Sequence, residues 1–112
     1  KIAKKYGCLV HSDAAQALGK IKINLEEIEL DFLTISGHKI GAPTGIGALV
    51  YNEKVNLEPQ ILGGGQEKGM RAGTENILGI RGFGEAAKFM INTKENNCSK
   101  VIPRANKTPS PR

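Results

Sequence analysis

The stretch that most constrains this chain is an apolar run, Asp31-Phe32-Leu33-Thr34-Ile35, that stops in Ser36-Gly37-His38-Lys39 and passes into Gly41-Ala42-Pro43-Thr44-Gly45-Ile46-Gly47. Short apolar runs bounded by turn residues read as buried strands, so Lys39 is placed just beyond a strand's carboxyl end. In α/β sheets, ligands collect at that end, where loop residues are held by a rigid scaffold. A lysine there can form an imine with an aldehyde once its amine is neutral, a state reached by partial desolvation or beside other cations. His38 and the amides of the glycine-rich turn suit a phosphate. The plainer reading of the same residues is a solvated surface lysine following a strand.

The rest of the chain supports an α/β reading. Ile2 to Gly7 resembles the last turns of an amphipathic helix closed by glycine. Gly7-Cys8-Leu9-Val10-His11 suits a buried parallel strand, and Asp13 falls just past its end. Gln16 lies three residues on and shares a side with Asp13 if the chain turns helical there. Asp13 can pair with a cationic ring nitrogen or simply cap that short helix. Asn24 precedes a short acidic turn, and the long connection from the first strand to Asp31–Ser36 favours a parallel crossover over a hairpin. Gly45 to Tyr51 reads as a third strand.

Gly63-Gly64-Gly65 marks a loop, either approached closely by a ligand or another chain or else mobile. From Ile77, the residues Ile80, Phe83, Ala87 and Met90 recur at helical spacing with Leu78 and Ile91 beside them, a stripe expected in the core. Thr74 and Asn76 are both candidate N-caps for that helix.

The net charge of +5 is unevenly spread. Residues 1–91 carry eleven Lys and Arg against ten Asp and Glu, whereas residues 92–112 carry five against one. That tail has no aromatic residue for stacking, so the basicity does not read as a nucleic-acid surface. Its prolines and low apolar content suggest disorder from residue 92 to 112, leaving 1–91 as the folded part. Cys8 and Cys98 have no metal-type spacing, and His11 with Cys8 falls short of a zinc ligand set. No apolar run is long enough for a membrane span, so the expectation is a cytoplasmic protein, or an organellar one in a eukaryote. The chain starts at Lys1 as if inside a helix, which suggests a fragment.

Three motifs in this order and spacing resemble the class V aminotransferase family of pyridoxal-phosphate enzymes, and within it the cysteine desulfurases. They are His11-Ser12-Asp13-Ala14-Ala15-Gln16-Ala17, Ser36-Gly37-His38-Lys39 with Pro43-Thr44-Gly45-Ile46-Gly47, and Gly63-Gly64-Gly65-Gln66-Glu67 with Arg71-Ala72-Gly73-Thr74-Glu75-Asn76. The resemblance runs from about Ile2 to Phe89. It implies part of the large cofactor domain of an aspartate-aminotransferase-like fold, a mostly parallel sheet flanked by helices.

By this resemblance, Lys39 is the catalytic residue that holds pyridoxal 5'-phosphate as an imine and shuttles the substrate α-proton. Asp13 pairs with the pyridinium nitrogen, and Gln16 bonds the phenolic oxygen. Ser36 and His38 bind the phosphate, and Thr74 reaches the phosphate of the partner subunit in a homodimer; Arg71 orders its loop.

The implied reaction takes sulfur from L-cysteine, leaving L-alanine and an enzyme persulfide for a sulfur-acceptor or scaffold protein in iron-sulfur cluster or thio-cofactor assembly. The family's ring-stacking histidine, nucleophilic cysteine and carboxylate-binding arginine have no counterpart in this stretch. A selenocysteine lyase or other class V segment, and an inactive truncated remnant with an unrelated tail, are the alternatives.

Overall fold

The computed structural model describes residues 2–25 and 27–96. Helix α1 (Ile2–Lys5) is a single turn, closed as its sequence suggests. Gly7 takes a left-handed φ of 68°, its N–H donates to the Lys4 carbonyl and the Cys8 N–H to that of Ala3. This is the Schellman pattern that glycine permits after a helix.

Strand β1 (His11–Asp13) lies later than the expected run at residues 7–11. The reason is local. Gly7 is used up as a helix terminator, and the Val10 N–H donates to the Asp31 carboxylate at 2.7 Å instead of to a strand. The Val10 carbonyl accepts the N–H groups of Asp31 and Phe32, so regular pairing begins only at His11. Cys8 and Leu9 are exposed.

Strand β2 (Phe32–Ser36) sits in the centre of a three-stranded sheet, with β1 on one side and β3 (Gly47–Tyr51) on the other. β1 pairs with β2 in parallel, His11 opposite Phe32 and Asp13 opposite Thr34. β3 returns antiparallel, Tyr51 opposite Phe32 and Gly47 opposite Ser36. The α/β class is as expected. Within it the described sheet is mixed rather than mostly parallel, because the compact turn after β2 reverses the chain directly while the longer segment from Ala14 to Asp31 crosses over.

Asp31, at the foot of β2, is the buried charged residue among those described, 3% exposed. Lys4 Nζ reaches its two carboxylate oxygens at 2.5 and 2.6 Å, and the Val10 N–H adds the third bond. One carboxylate thereby ties α1, the approach to β1, and β2 together. The hydrogen bond from Lys4 is the main cause that holds the Asp31 carboxyl below its ordinary value of 3.8, with the Val10 N–H adding to it and burial opposing it.

Helix α2 (Ile77–Asn96) starts at Asn76, whose side-chain Oδ1 accepts the Gly79 N–H at 3.0 Å. Of the two candidate caps, Asn76 is the one that acts. α2 packs on the turn that follows β2. A side chain at Gly82 would come within 2.7 Å of the Pro43 ring, and one at Gly19 within 3.1 Å of Met90 Sδ, so helix and loops meet at contact distance through glycines.

The expected apolar stripe is only partly buried. Phe83, Ala87 and Met90 are half-buried beside a buried Gly79, but Ile80, Leu78 and Ile91 are exposed, Leu78 at 84%. The helix touches its described neighbours along one narrow glycine-rich line, which leaves its remaining apolar positions outside the contact. α2 also continues through Asn96, so residues 92–96, expected to be disordered, are helical. The remainder of that basic stretch, 97–112, lies outside the described residues.

Since the Asp31 carboxyl is depressed in the folded state, its ionised form stabilises the fold above pH 3.8, and that contribution is lost as pH falls below 3.8 through the depressed value. Asp31→Asn should therefore melt at a lower temperature than the parent at neutral pH, with the gap closing on acidification. Thermal unfolding followed by circular dichroism at several pH values checks this.

Candidate functional site

The parallel pairing of β1 with β2 brings both carboxyl ends, Asp13 and Ser36, to the same edge of the sheet. The chain leaves β2 through Ser36 into a 3-10 turn, Gly37–Ile40, which carries His38 and Lys39. Gly41, with φ of 92°, closes that turn and directs its N–H to the carbonyls of Gly37 and His38. The Ala42 N–H returns to the Gly37 carbonyl at 3.1 Å, and the Gly37 N–H donates to the Ile46 carbonyl at 2.9 Å. Lys39 is thus held on a backbone bonded on both sides, while its side chain is exposed. Its Nζ makes no hydrogen bond or ion pair with any described residue.

Gly37 is the tight point of this turn. A Cβ there would lie 2.8 Å from Ile46 Cγ2, 3.0 Å from the Ile46 carbonyl oxygen and 3.2 Å from Ala42 Cβ. Only glycine lets the turn fold back so closely. Ser36 Oγ and His38 Nδ1 are 3.0 Å apart, so the two residues expected at a phosphate form one hydrogen-bonded pair.

Asp13 is the last residue of β1 rather than a residue beyond it, and it is exposed. Its Oδ1 accepts the Ala15 N–H at 2.8 Å, an Asx-type turn that starts the helical turns from Ala14 to Ile21. Both readings of Asp13 thus remain physically available, since one carboxylate oxygen caps and the other has no partner among the described residues. Gln16 Oε1 accepts from Lys20 Nζ at 3.1 Å. Thr74 is exposed in the irregular segment before α2. The structure brings Asp13 and residues 36–39 to one sheet edge, and among the described residues no hydrogen bond joins Asp13, Gln16 or Thr74 to the Lys39 turn.

The glycine-rich stretch is held by its own bonds. The Ala72 N–H donates to the Ile61 carbonyl at 3.0 Å, and the Gly73 N–H to Gln66 Oε1 at 3.3 Å. Glu67 and Lys68 adopt left-handed φ values of 49° and 57°, unusual for residues with side chains. Arg71 is exposed and lines, with Leu49, Ile61, Met70 and Phe83, a cavity of about 720 Å³ between β3 and α2. None of the expected site residues lines it.

Sequence reading missed one pair in this region, His11 and Thr34. His11 Nε2 and Thr34 Oγ1 are 2.8 Å apart across the β1–β2 pairing. Neither residue stands out alone; the signal is the parallel register, which places a polar residue of each strand on one sheet face.

The donor set is chemically suited to pyridoxal phosphate. An unengaged primary amine on a rigid turn can bond an aldehyde, a carboxylate with a free oxygen can face a pyridinium nitrogen, and a hydroxyl–imidazole pair beside a glycine-rich turn can bind phosphate.

Comparison with known proteins gives the same direction. The model of the aminotransferase class-V family matches residues 1–108. The chain belongs to this family. The match passes through the basic stretch that looked unrelated from composition. Class V aminotransferases depend on pyridoxal phosphate.

Among curated relatives in the family, a cysteine desulfurase of Gluconacetobacter diazotrophicus is 55% identical over 88 residues, covering 79% of this chain and 22% of that protein. A cysteine desulfurase of Nostoc sp. is 53% identical over 91 residues, covering 81% of this chain and 23% of the relative. The crystal structure of a NifS-like protein from Rickettsia africae superposes with a TM-score of 0.80 at 48% identity, over 86% of this chain and 27% of the other. The chain thus spans about a quarter of the length of the relatives it matches.

Gly37→Ala should destabilise the protein by about 1–3 kcal/mol, the usual cost of forcing a methyl group into a filled site. Chemical denaturation measures this cost, and limited proteolysis should show earlier cleavage between residues 37 and 46.

Proposed function

We propose that this chain is a segment of the cofactor domain of a cysteine desulfurase, an enzyme that takes sulfur from L-cysteine and yields L-alanine and a protein persulfide. The observation that carries the reading is the convergence of Asp13 and the Ser36–Lys39 turn on one sheet edge, in a chain about half identical to cysteine desulfurases.

Pyridoxal 5'-phosphate, when bound, supplies an electron sink for the bonds at the substrate's α-carbon. The chain's own residues bind and orient. Lys39 would hold the cofactor through Nζ, and its amine, which has no competing partner among the described residues, would move the α-proton as a general acid–base. The Asp13 carboxylate would hold the ring nitrogen and its proton. Gln16 turns from Lys20 to bond the phenolic oxygen, and Ser36 with His38 holds the phosphate. Thr74 would serve the site of a second subunit in a homodimer. The thiolate that accepts the sulfur would come from outside this segment, and a separate acceptor protein would receive the sulfur from it.

The test is to add pyridoxal 5'-phosphate, reduce with borohydride and map the labelled peptide. Label on Lys39, lost in Lys39→Ala, is the expected result. Label scattered over surface lysines, or equal in the variant, would sink the proposal.

A further inference from the structure

Thr34 holds Asp13 from both sides. Its side-chain Oγ1 bonds His11 Nε2 at 2.8 Å, two residues before Asp13, and its carbonyl accepts the Ala14 N–H at 2.8 Å, one residue after. Thr34 is also the register partner of Asp13. Side chains alternate along a strand, so His11 and Asp13 share one face of β1, and Thr34 and Ser36 share that face of β2. The pair His11–Thr34 therefore stands on the same sheet face as the carboxylate and the first residue of the Lys39 turn.

The backbone bond from Ala14 fixes where β1 ends along the sheet. That end has few other backbone bonds, since β1 has only three residues and no strand pairs its outer side among those described. The side-chain bond adds a second tie between the two strands, on the face that carries Asp13.

We propose that Thr34, through its hydrogen bond to His11, is a positioning residue that sets Asp13 relative to the Ser36–Lys39 turn and so orients the cofactor ring. This rests on the reading of Lys39, Asp13 and pyridoxal phosphate given above. Neither residue touches the cofactor in this account. Their part is to keep the carboxylate at a fixed distance from the anchoring lysine.

The experiment uses the full-length protein that carries this segment, loaded with pyridoxal 5'-phosphate, and reads the cofactor's dissociation constant and the induced circular dichroism of its visible band. Thr34→Val keeps the branched shape and removes the hydroxyl. It should weaken cofactor binding about fivefold, the scale of one lost hydrogen bond, and reduce the induced dichroism. Thr34→Ser, which restores the hydroxyl, should return both values towards the parent. His11→Ala should reproduce Thr34→Val, and the double variant should be no worse than either single one, the sign of a shared interaction.

A dissociation constant and dichroism within twofold of the parent in Thr34→Val, with Lys39 still labelled by borohydride, would overturn the positioning role alone. So would additive losses in the double variant, or a melting temperature that falls in Thr34→Val while the dichroism stays. Absence of any Lys39 label in the parent would overturn the cofactor reading and the positioning role together.

Discussion

One buried carboxylate sets the frame on which everything else is hung. Asp31 meets Lys4 from the first helix and the Val10 N–H from the chain entering β1, while its own backbone begins β2. A buried charge is costly unless its oxygens are satisfied, and here both are. Satisfying them requires residue 10 to arrive beside residue 31. That requirement selects the register in which His11 faces Phe32, and the register in turn decides that Asp13 ends beside the strand leading to Ser36.

From that register the chemistry follows by short steps. β2 delivers a serine at its end, a glycine that can fold back without a clash, and a lysine on the outer side of a single 3-10 turn. α2 braces this turn by laying Gly82 against Pro43. The buried apolar residues among those described are few, Leu33 and the three alanines Ala14, Ala42 and Ala72. Rigidity near Lys39 thus comes from backbone hydrogen bonds and close glycine contacts more than from bulk burial, which suits a site whose reactive groups must stay accessible.

Much of this was legible in the sequence, for physical reasons. The strand before Ser36, the helix after Asn76 and the terminating Gly7 each follow from local rules of periodicity and capping, which need no partner to be read. The cluster around Lys39 reads alone as an ordinary surface lysine after a strand, and it gained meaning only with the two other motifs in order, which together resemble the family that the match over residues 1–108 shows. What was not legible depended on distant partners. β1 was placed too early because the capture of Val10 by Asp31 is a contact across twenty-one positions. Leu78 and Ile91 were expected in the core because a periodic pattern says which side of a helix is apolar, not how wide a strip its neighbours cover. The bond between His11 and Thr34 needed the pairing of two strands before it could be seen.

The mixed pairing of β2 has a consequence for the order in which contacts become affordable to the chain. Its antiparallel partner lies just beyond the Lys39 turn, whereas its parallel partner lies across the longer Ala14–Asp31 crossover, and the entropy lost in closing a loop grows with its length. The turn bearing the lysine is therefore enclosed by the cheaper of the two closures, and the carboxylate is brought to it by the dearer one. The two halves of the candidate site thus differ in the chain entropy lost in joining them to β2, by about half a kcal/mol for loops that differ less than twofold in length.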